Sequence, residues 1–287
     1  MSERRPFQER VIGAIIRRPY DDEAGHKGLF GRVAHAQPHL VRRFDLTLPG
    51  WPRFTKPLRI AFLSDFHVGS HTGDVGRLTA IAREAAAYSP DLVLYGGDYM
   101  NMQPWAGGRV PPRTIAAALA GLTGRSGRFA VLGNHDYIYG ELQVARALRA
   151  AGIVVLDHGV QAFEYEHHSI DVVGVPDAHV QWHAARGFLA GLSRNKPAIV
   201  LTHDPARFAE VPDGPFVTLA GHTHGGQIKL PVVGALLNAS RAPLRWSHGH
   251  VVEGKRHLIV TAGLGTSGVP LRIGVPPEYA IIDVTGP

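Results

Sequence analysis

Residues 58–67 read LRIAFLSDFH, and the change from apolar to polar side chains within this stretch decides the fold. The run Leu58–Leu63 is typical of a strand that is buried on both faces of a layered sheet. Asp65 and His67 follow that run at once. Because ligands of layered α/β sheets gather beyond the carboxyl ends of the strands, the stretch predicts a functional Asp-x-His pair at a sheet edge.

Four further motifs repeat this placement directly behind an apolar run. The five motifs are SDFH at 64–67, GGD at 96–98, GNHD at 133–136, THD at 202–204 and GHTH at 221–224. If the preceding strands are neighbours, all five motifs converge on one rim. Any one motif is typical of an ordinary loop, but the five in this order indicate a built site.

The side chains of these motifs are ligands for hard and borderline metal ions. They are two carboxylates, one amide and five imidazoles: Asp65, Asp98, Asn134, His67, His135, His203, His222 and His224. One ion needs fewer ligands, and two divalent ions about 3.5–4 Å apart form a recurring clamp for phosphoryl transfer. On extended exit segments, both side chains of Asp-x-His or His-x-His would point the same way. The chain has no cysteine, which excludes thiolate ligands and disulfides.

The order of the predicted elements favours an α/β (α+β) fold. Strands are predicted at 44–48, 58–63, 92–95, 129–132, 160–165, 170–175, 198–201, 216–220, 257–261 and 279–284, with helices at 75–88 and 141–151. Early strands alternate with helices, whereas later strands have few helices between them. This pattern suggests layers around a mixed sheet.

Residues 1–43 are predicted to be an N-terminal extension of a domain over residues 44–287. Five arginines within residues 1–18 surround apolar side chains, so residues 1–20 would form a basic helix on an anionic membrane surface. The alternative, which we favour slightly, is a tail that packs on its own domain or stays mobile. The apolar run 11–16 is shorter than the about 20 residues of a spanning helix and lacks the features of a secretory signal. We therefore expect a cytoplasmic protein, peripheral to the inner face of the membrane if the helix binds there.

In these motifs the sequence resembles the calcineurin-like metallophosphoesterases, over about residues 44–284. The family pattern is Asp-x-His, Gly-Asp, Gly-Asn-His-Asp/Glu, a later His and Gly-His-x-His, and every ligand position is present here. The resemblance implies a four-layer sandwich of two mixed sheets flanked by helices. It also implies a phosphoric ester hydrolase with two divalent ions, Mn, Fe, Zn or Ni, among which we favour Mn.

The resemblance assigns each motif residue a role. The implied ligands are Asp65, His67 and His224 for the first ion, Asn134, His203 and His222 for the second, and Asp98 as the bridge. His135 would be catalytic and face the scissile phosphate, and Asp136 would orient its ring. Asp204 is a further carboxylate expected to orient an imidazole. Arg272 would reach the substrate phosphate, with an ordinary surface arginine as the alternative.

The implied reaction is hydrolysis of a phosphodiester or pyrophosphate bond. A hydroxide bridging the two ions would attack in line, and His135 would stabilise charge or protonate the leaving group. No protein nucleophile is required. The formal net charge of +6 favours an anionic partner such as a phosphate ester, although the excess is spread along the chain.

The longer matches GHTHGGQIKLP at 221–231 and GLGTSGVPLRIGVPPE at 263–278 resemble one bacterial branch, whose members are often membrane-associated. Some of its members hydrolyse phosphodiesters, and one subgroup cleaves the pyrophosphate of UDP-2,3-diacylglucosamine. A lipid-linked or nucleotide-sugar substrate is therefore expected, and the apolar segment 232–237 would cover an acyl chain or belong to the core.

Two other functions remain open at the level of the sequence. A nuclease or cyclic-nucleotide phosphodiesterase would use the same ligands, but a nuclease would gain from a long basic, aromatic-rich groove that the linear sequence does not show. A catalytically silent metal-binding scaffold would have lost a ligand, whereas this set is complete. No protein partner is implied, and nucleic acid is not the expected partner.

Overall fold

The computed structural model describes residues 35–103, 108–180, 185–230, 234–235 and 239–287. The predicted basic helix within residues 1–20 and most of the apolar segment 232–237 lie outside the described residues. Among the helices that are described, none has the length and apolar character needed to cross a bilayer.

The first sheet has six strands. They are β1 Leu40–Thr47, β2 Leu58–Leu63, β3 Leu92–Tyr95, β4 Gly127–Ala130, β5 Val154–Val155 and β14 Glu278–Thr285, in the order β1-β14-β2-β3-β4-β5. Strands β2 to β5 run parallel, and β14 lies antiparallel to β2. β1 begins at Leu40, before the predicted start at Phe44, because Leu40 pairs with Glu278 at the start of β14.

The second sheet also has six strands. They are β6 Gly159–Tyr165, β7 His168–Val175, β8 Ala198–Thr202, β9 Phe216–Ala220, β12 Gly249–Glu253 and β13 Arg256–Val260, in the order β12-β13-β9-β8-β7-β6. β7, β8, β9 and β13 are parallel, and the two edge strands are antiparallel. A separate two-stranded ribbon joins β10 Lys229–Leu230 to β11 Gly234–Ala235.

Five helices accompany the sheets within the described ranges. They are α1 Asp74–Ala87, α2 Pro112–Ala118, α3 Asn134–Tyr139, α4 Glu141–Ala150 and α5 Ala185–Ala190, and 3₁₀ turns cover Pro205–Glu210, His224–Gly226 and Leu244–Trp246. α1 and α4 match the predicted helices within one residue at each end. α3 was not predicted, because it begins inside the GNHD motif and is only six residues long.

The strands alternate their side chains between two apolar layers. Ile60 and Phe62 of β2 pack against Ile199 and Leu201 of β8, in the layer between the two sheets. Leu63 points the other way, into the layer beneath the helices. A third apolar layer covers the outer face of the second sheet. The predicted sandwich of two mixed sheets flanked by helices is confirmed, and it places the carboxyl ends of β2, β3, β4, β8 and β9 at one rim.

Candidate metal centre

Backbone hydrogen bonds tie the exit segments of neighbouring strands together at this rim. The amide of Asp65 donates to the carbonyl of Gly97 at 2.9 Å, and the amide of His67 donates to the carbonyl of Asp98 at 3.0 Å. These bonds continue the parallel pairing of β2 and β3 beyond the strands. In the second sheet, the amide of Gly221 donates to the carbonyl of His203 at 2.9 Å. The motifs of both sheets are thus held side by side.

The exit segments are not extended, so this part of the prediction is wrong. Five of the motif residues have left-handed φ angles: Asp65 (52°), His67 (39°), Asp98 (55°), His222 (71°) and His224 (51°). A non-glycine residue in that region costs about 1–3 kcal/mol, and such strain clusters at functional sites. Sharp turns, rather than the two-residue period of a strand, aim these side chains at the rim.

Two glycines allow carboxylates to approach the backbone closely. A Cβ atom at Gly221 would overlap the carboxylate of Asp65, and one at Gly133 would overlap the carboxylate of Asp98. Any larger residue at either position would therefore displace a carboxylate from the rim. The close approach of the two carboxylates explains why the GHTH and GNHD motifs each begin with glycine.

One cluster of three side chains joins the two sheets. Ligand atoms of Asp65, His67 and His224 all lie within 4.8 Å of one another. Nε2 of His224 is 3.1 Å from Nε2 of His67 and 3.6 Å from Oδ1 of Asp65. Atoms bound about 2.1 Å from one ion lie about 3.0–3.5 Å apart, so this spacing suits a metal ion.

A second cluster lies beside the first and contains Asp98, His203 and His222. Nε2 of His203 is 3.2 Å from Oδ2 of Asp98 and 3.1 Å from Nδ1 of His222. Asn134 follows Gly133, which lies against the Asp98 carboxylate, and its Oδ1 is buried with no hydrogen-bond partner among the described residues. A buried amide oxygen without a donor is the kind of group that a cation would satisfy.

Asp98 faces both clusters with the same oxygen. Its Oδ2 lies 3.2 Å from Nε2 of His203 in one cluster and 3.5 Å from Nε2 of His67 in the other. Its Oδ1 accepts a hydrogen bond from the amide of His135 at 2.9 Å, which holds the carboxylate in place. The donor set therefore fits two cations that share one carboxylate.

Burial sets the charge state of the imidazoles in the first cluster. It lowers the pKa of His67 to about 3, with the neighbouring His135 adding to the effect. Burial, together with His67 and Arg272, also lowers the pKa of His224 well below its usual range. Both rings are therefore neutral at pH 7, the form that binds a metal ion.

The two carboxylates respond differently to the same burial. Burial raises the pKa of Asp65. Burial acts in the same direction on Asp98, but the imidazoles of His203 and His135 outweigh it and hold the pKa of Asp98 well below its usual range. The neighbouring imidazoles thus favour the ionised form of the shared carboxylate.

His135 stands at the mouth of the first cluster. Its ring centroid is 4.6 Å from that of His67, and its Nε2 lies 3.4 Å from the hydroxyl of Ser267. Its Nδ1 has no hydrogen-bond partner within the described part of the chain.

Asp136 does not orient the His135 ring, contrary to the prediction. Its carboxylate accepts hydrogen bonds from four backbone amides: Asp98 (2.9 Å), Tyr99 (2.9 Å), Met100 (3.2 Å) and Gly133 (2.9 Å). Burial and the nearby Asp98 raise the pKa of Asp136 to about 7. Both carboxylate oxygens of Asp136 thus bind backbone amides of the turn after β3 and of Gly133, just before α3. Asp136 therefore positions Asp98 instead of the His135 ring.

Asp204 likewise does not orient the adjacent His203. Nδ1 of His203 is 2.7 Å from the carbonyl oxygen of Gly96, which holds the ring. Asp204 caps the 3₁₀ turn Pro205–Glu210 by accepting from the amide of Ala206 at 2.8 Å, and its Oδ2 pairs with a different imidazole, Nδ1 of His179, at 3.3 Å. Every residue has a backbone carbonyl, so the residue type gives no sign that Gly96 is the partner of His203, and this contact could not be predicted.

Arg272 is buried, with 3% of its surface exposed, so the surface-arginine alternative is wrong. Its guanidinium donates to the carbonyls of Ala262 and Gly265, and its Nη2 lies 3.2 Å from Nδ1 of His224. Burial lowers the pKa of Arg272 to about 10. In this structure the guanidinium braces the loop beneath His224.

Sequence reasoning missed two features of the rim. Gln227, the last residue of GHTHGGQ, binds Ser267 twice: its Nε2 donates to the Ser267 carbonyl and its Oε1 accepts from the Ser267 amide. This exchange holds the Ser267 hydroxyl beside His135. The second feature is a further ligand cluster of Asp177, His179 and His222. Its signal was available, since Asp177-Ala178-His179 is another Asp-x-His behind an apolar strand.

Comparisons with known proteins agree with this geometry. The family model described as calcineurin-like phosphoesterase matches residues 58–226. The uncharacterised protein YpbG of Bacillus subtilis is 30% identical over 80% of this chain and 82% of its own length. The uncharacterised metallophosphoesterase YkuE of the same organism is 25% identical over 97% of this chain and 96% of its own. The phosphodiesterase YaeI of Escherichia coli is 27% identical over 89% of this chain and 92% of its own.

Proposed function

The chain belongs to the calcineurin-like phosphoesterase family, and on that premise we propose that it hydrolyses phosphodiester or pyrophosphate bonds with two divalent ions. That it is a metal-dependent phosphoesterase follows from the family and from the ligand clusters. The bond type, the number of ions and the role of each residue are proposals. YaeI, named a phosphodiesterase, supports the choice of a diester.

The single observation that carries the proposal is the position of Asp98. Its Oδ2 is within 3.5 Å of a ring nitrogen in each cluster, so it would contact both ions. We assign Asp65, His67 and His224 to the first ion, and Asn134, His203 and His222 to the second. Bound ions would neutralise phosphate oxygens and activate water near pH 7. Mn remains our preferred metal, since the carboxylate and amide oxygens suit it, and the imidazoles keep Fe, Zn and Ni as the alternatives.

His135 is the proposed catalytic residue of the protein itself. Its ring lies at the cluster mouth, its backbone amide is fixed by Asp98, and its Nε2 is near the Ser267 hydroxyl. From there the imidazole would contact a phosphate oxygen or give a proton to the leaving oxygen. Arg272 is proposed to position His224, and the predicted contact with the substrate phosphate stays a prediction.

The surroundings of His224 support a substrate with an apolar part. A cavity of about 300 Å³ is lined by His224, Ile228, Ser267 and Val269 among other residues. Val269 is 45% exposed, and Ile273, which pairs with Ile228, is 39% exposed. Exposed large apolar side chains beside a polar site are typical of ligand-binding surfaces. We therefore retain a lipid-linked substrate, such as an acylated nucleotide sugar, as the proposed class.

The first experiment assays Mn-loaded protein on bis-p-nitrophenyl phosphate, p-nitrophenyl phosphate, cyclic nucleotides, single-stranded DNA and UDP-2,3-diacylglucosamine. We expect hydrolysis of diesters and of the pyrophosphate, and loss of both activities in EDTA. Activity on the DNA alone would support the nuclease alternative. No activity with any substrate, in protein that holds its metal, would support the silent scaffold.

A second experiment tests the apolar part of the substrate. Val269→Asp should raise KM for UDP-2,3-diacylglucosamine about tenfold and leave bis-p-nitrophenyl phosphate hydrolysis unchanged, since only the former has acyl chains. Val252→Asp is the matched control, because Val252 is a 52% exposed valine of β12. An equal KM in both variants would contradict the lipid-linked class.

The N-terminal part of the chain is the subject of three further proposals. We propose that an N-terminal extension precedes the domain, with its end moved from residue 43 to before Leu40, where β1 begins. The cytoplasmic location and the membrane contact of residues 1–20 are also proposals. Liposome flotation of the full chain and of a chain lacking residues 1–20 tests the contact, and equal flotation would contradict it.

A further inference from the structure

Asp177 and His179 stand at the end of β7 as Asp65 and His67 stand at the end of β2. β7 pairs in parallel with β8, and Val175 lies opposite Thr202, the residue before His203. Three adjacent parallel strands of the second sheet therefore deliver polar side chains to the same rim. The function proposed above uses those from β8 and β9 and leaves those from β7 without a role.

The side chains after β7 meet those after β8 and β9. Ligand atoms of Asp177, His179 and His222 all lie within 4.8 Å of one another. The ring centroids of His179 and His222 are 4.7 Å apart. Nδ1 of His179 is 3.7 Å from Oδ1 of Asp177 and 3.3 Å from Oδ2 of Asp204. These separations are close to those between the ligand atoms of the two central clusters.

Two buried carboxylates lie in this region, and one of them keeps an unpaired oxygen. Asp177 is 0% exposed; its Oδ1 accepts from the amide of His179 at 2.7 Å, whereas its Oδ2 has no hydrogen-bond partner among the described residues. Asp204 is also 0% exposed, and its Oδ2 is paired with Nδ1 of His179 at 3.3 Å. Leaving a buried carboxylate oxygen unpaired is costly, so a cation is the group that this place lacks.

The segment that carries these ligands is rigidly held. Arg207 is fully buried, and its guanidinium donates to the carbonyls of Pro176 and Asp177 at 3.2 and 3.3 Å. This anchoring fixes the backbone on which the Asp177 carboxylate stands. The His179 side chain is 39% exposed, so one side of the cluster opens to solvent.

We propose that Asp177, His179 and His222 form a third cation site, with the carboxylate of Asp204 beside it. One carboxylate and two imidazoles are a ligand set that suits Zn²⁺, and three protein ligands leave a position open for water or an anion. That open position would face the exposed side of His179, at the same rim as the two central clusters. Nδ1 of His222 is 3.1 Å from Nε2 of His203 in the second cluster, and its Nε2 is 3.2 Å from the carbonyl oxygen of Ala239. Because a neutral imidazole has one lone pair, His222 would serve both ions only as an imidazolate whose ring proton is released to solvent, and the two sites would then be coupled through its ring.

Metal counting on the full chain tests this site without measuring activity. The protein is dialysed to equilibrium against excess Zn²⁺, and bound zinc is measured by inductively coupled plasma mass spectrometry. We expect three ions per wild-type chain, and two in Asp177→Asn and in His179→Gln. His158→Gln is the matched control, because His158 is also a partly exposed histidine beside an aspartate, at 3.8 Å from Asp157; it should retain three.

The outcomes separate this site from the proposed function. Two ions in the wild type, which is what a plain His179–Asp204 ion pair would give, would overturn the third site and leave the binuclear centre intact. Three ions in His179→Gln, or a loss of one in His158→Gln, would also overturn it. Circular dichroism melts check the fold of each variant. If Asp177→Asn does not fold, the partly exposed His179→Gln decides the question.

Discussion

The central clusters and the Asp177–His179–His222 cluster differ in the origin of their ligands. Each central cluster takes ligands from both sheets, whereas the third takes all three from the second sheet. A central cluster therefore forms only when the two sheets pack so that the ends of their strands meet at the same rim. The third cluster needs only the parallel pairing of β7, β8 and β9. The contrast shows that the proposed active site depends on how the two sheets pack against each other.

The largest effect is expected at Asp98, the residue that links the sheets most directly. Asp98→Asn should lower kcat/KM on bis-p-nitrophenyl phosphate on the order of 10³-fold, because both ions lose a charged ligand. Bound Mn, measured in parallel, should fall at the central clusters. Full activity in this variant would remove the shared role of Asp98.

His135 separates catalysis from metal binding at the same rim. His135→Ala should lower kcat by about 10²–10³-fold, within the range of general acid catalysis, and leave the metal content unchanged. The measurement is steady-state kinetics together with metal analysis. If metal is lost with the ring, His135 is a ligand, consistent with its place in a His67–Asp98–His135 group.

A core substitution can break the two-sheet clusters from a distance. Leu201→Ala opens a cavity between the sheets and should cost about 2–5 kcal/mol of unfolding free energy. It should also weaken Mn binding at the central clusters. Val200→Ala, on the outer face of the same strand, is the control and should weaken metal binding less. Equal metal affinity in both variants would contradict the dependence on sheet packing.

The smallest effect concerns a carboxylate that stabilises the fold away from the ions. Glu278 accepts from Arg42, His248 and the amide of Ala262. Burial opposes these bonds, but the hydrogen bond with His248 and the others outweigh it and lower the pKa of Glu278. A depressed folded-state pKa stabilises the protein above the unfolded value of about 4.3, and that stability is lost as pH falls below it.

Acid denaturation of Glu278→Gln measures this contribution. As pH falls below about 4.3, the unfolding free energy of the variant should fall less steeply than that of the wild type. The same slope in both proteins would show that Glu278 does not contribute.

Much of the fold could be predicted because its strands are buried on both faces. Such strands are nearly continuous apolar runs, and β2, β3, β8 and β9 were predicted at their observed positions or within one residue. The strands β5 and β12 were missed, because β5 has only two residues and β12 is an edge strand with no fully buried position. Short or exposed elements leave a weak pattern.

The sequence by itself determined which ligand types reach the rim, since each follows an apolar run whose end fixes its place. Only the tertiary structure decided which atoms they meet. Asp136 binds the turn after β3 instead of His135, Gly96 rather than Asp204 holds His203, and Arg272 is buried beneath His224. The physical reason is that backbone amides and carbonyls are the partners in these contacts. Every residue carries those groups, so their positions follow from the folded chain and not from its letters.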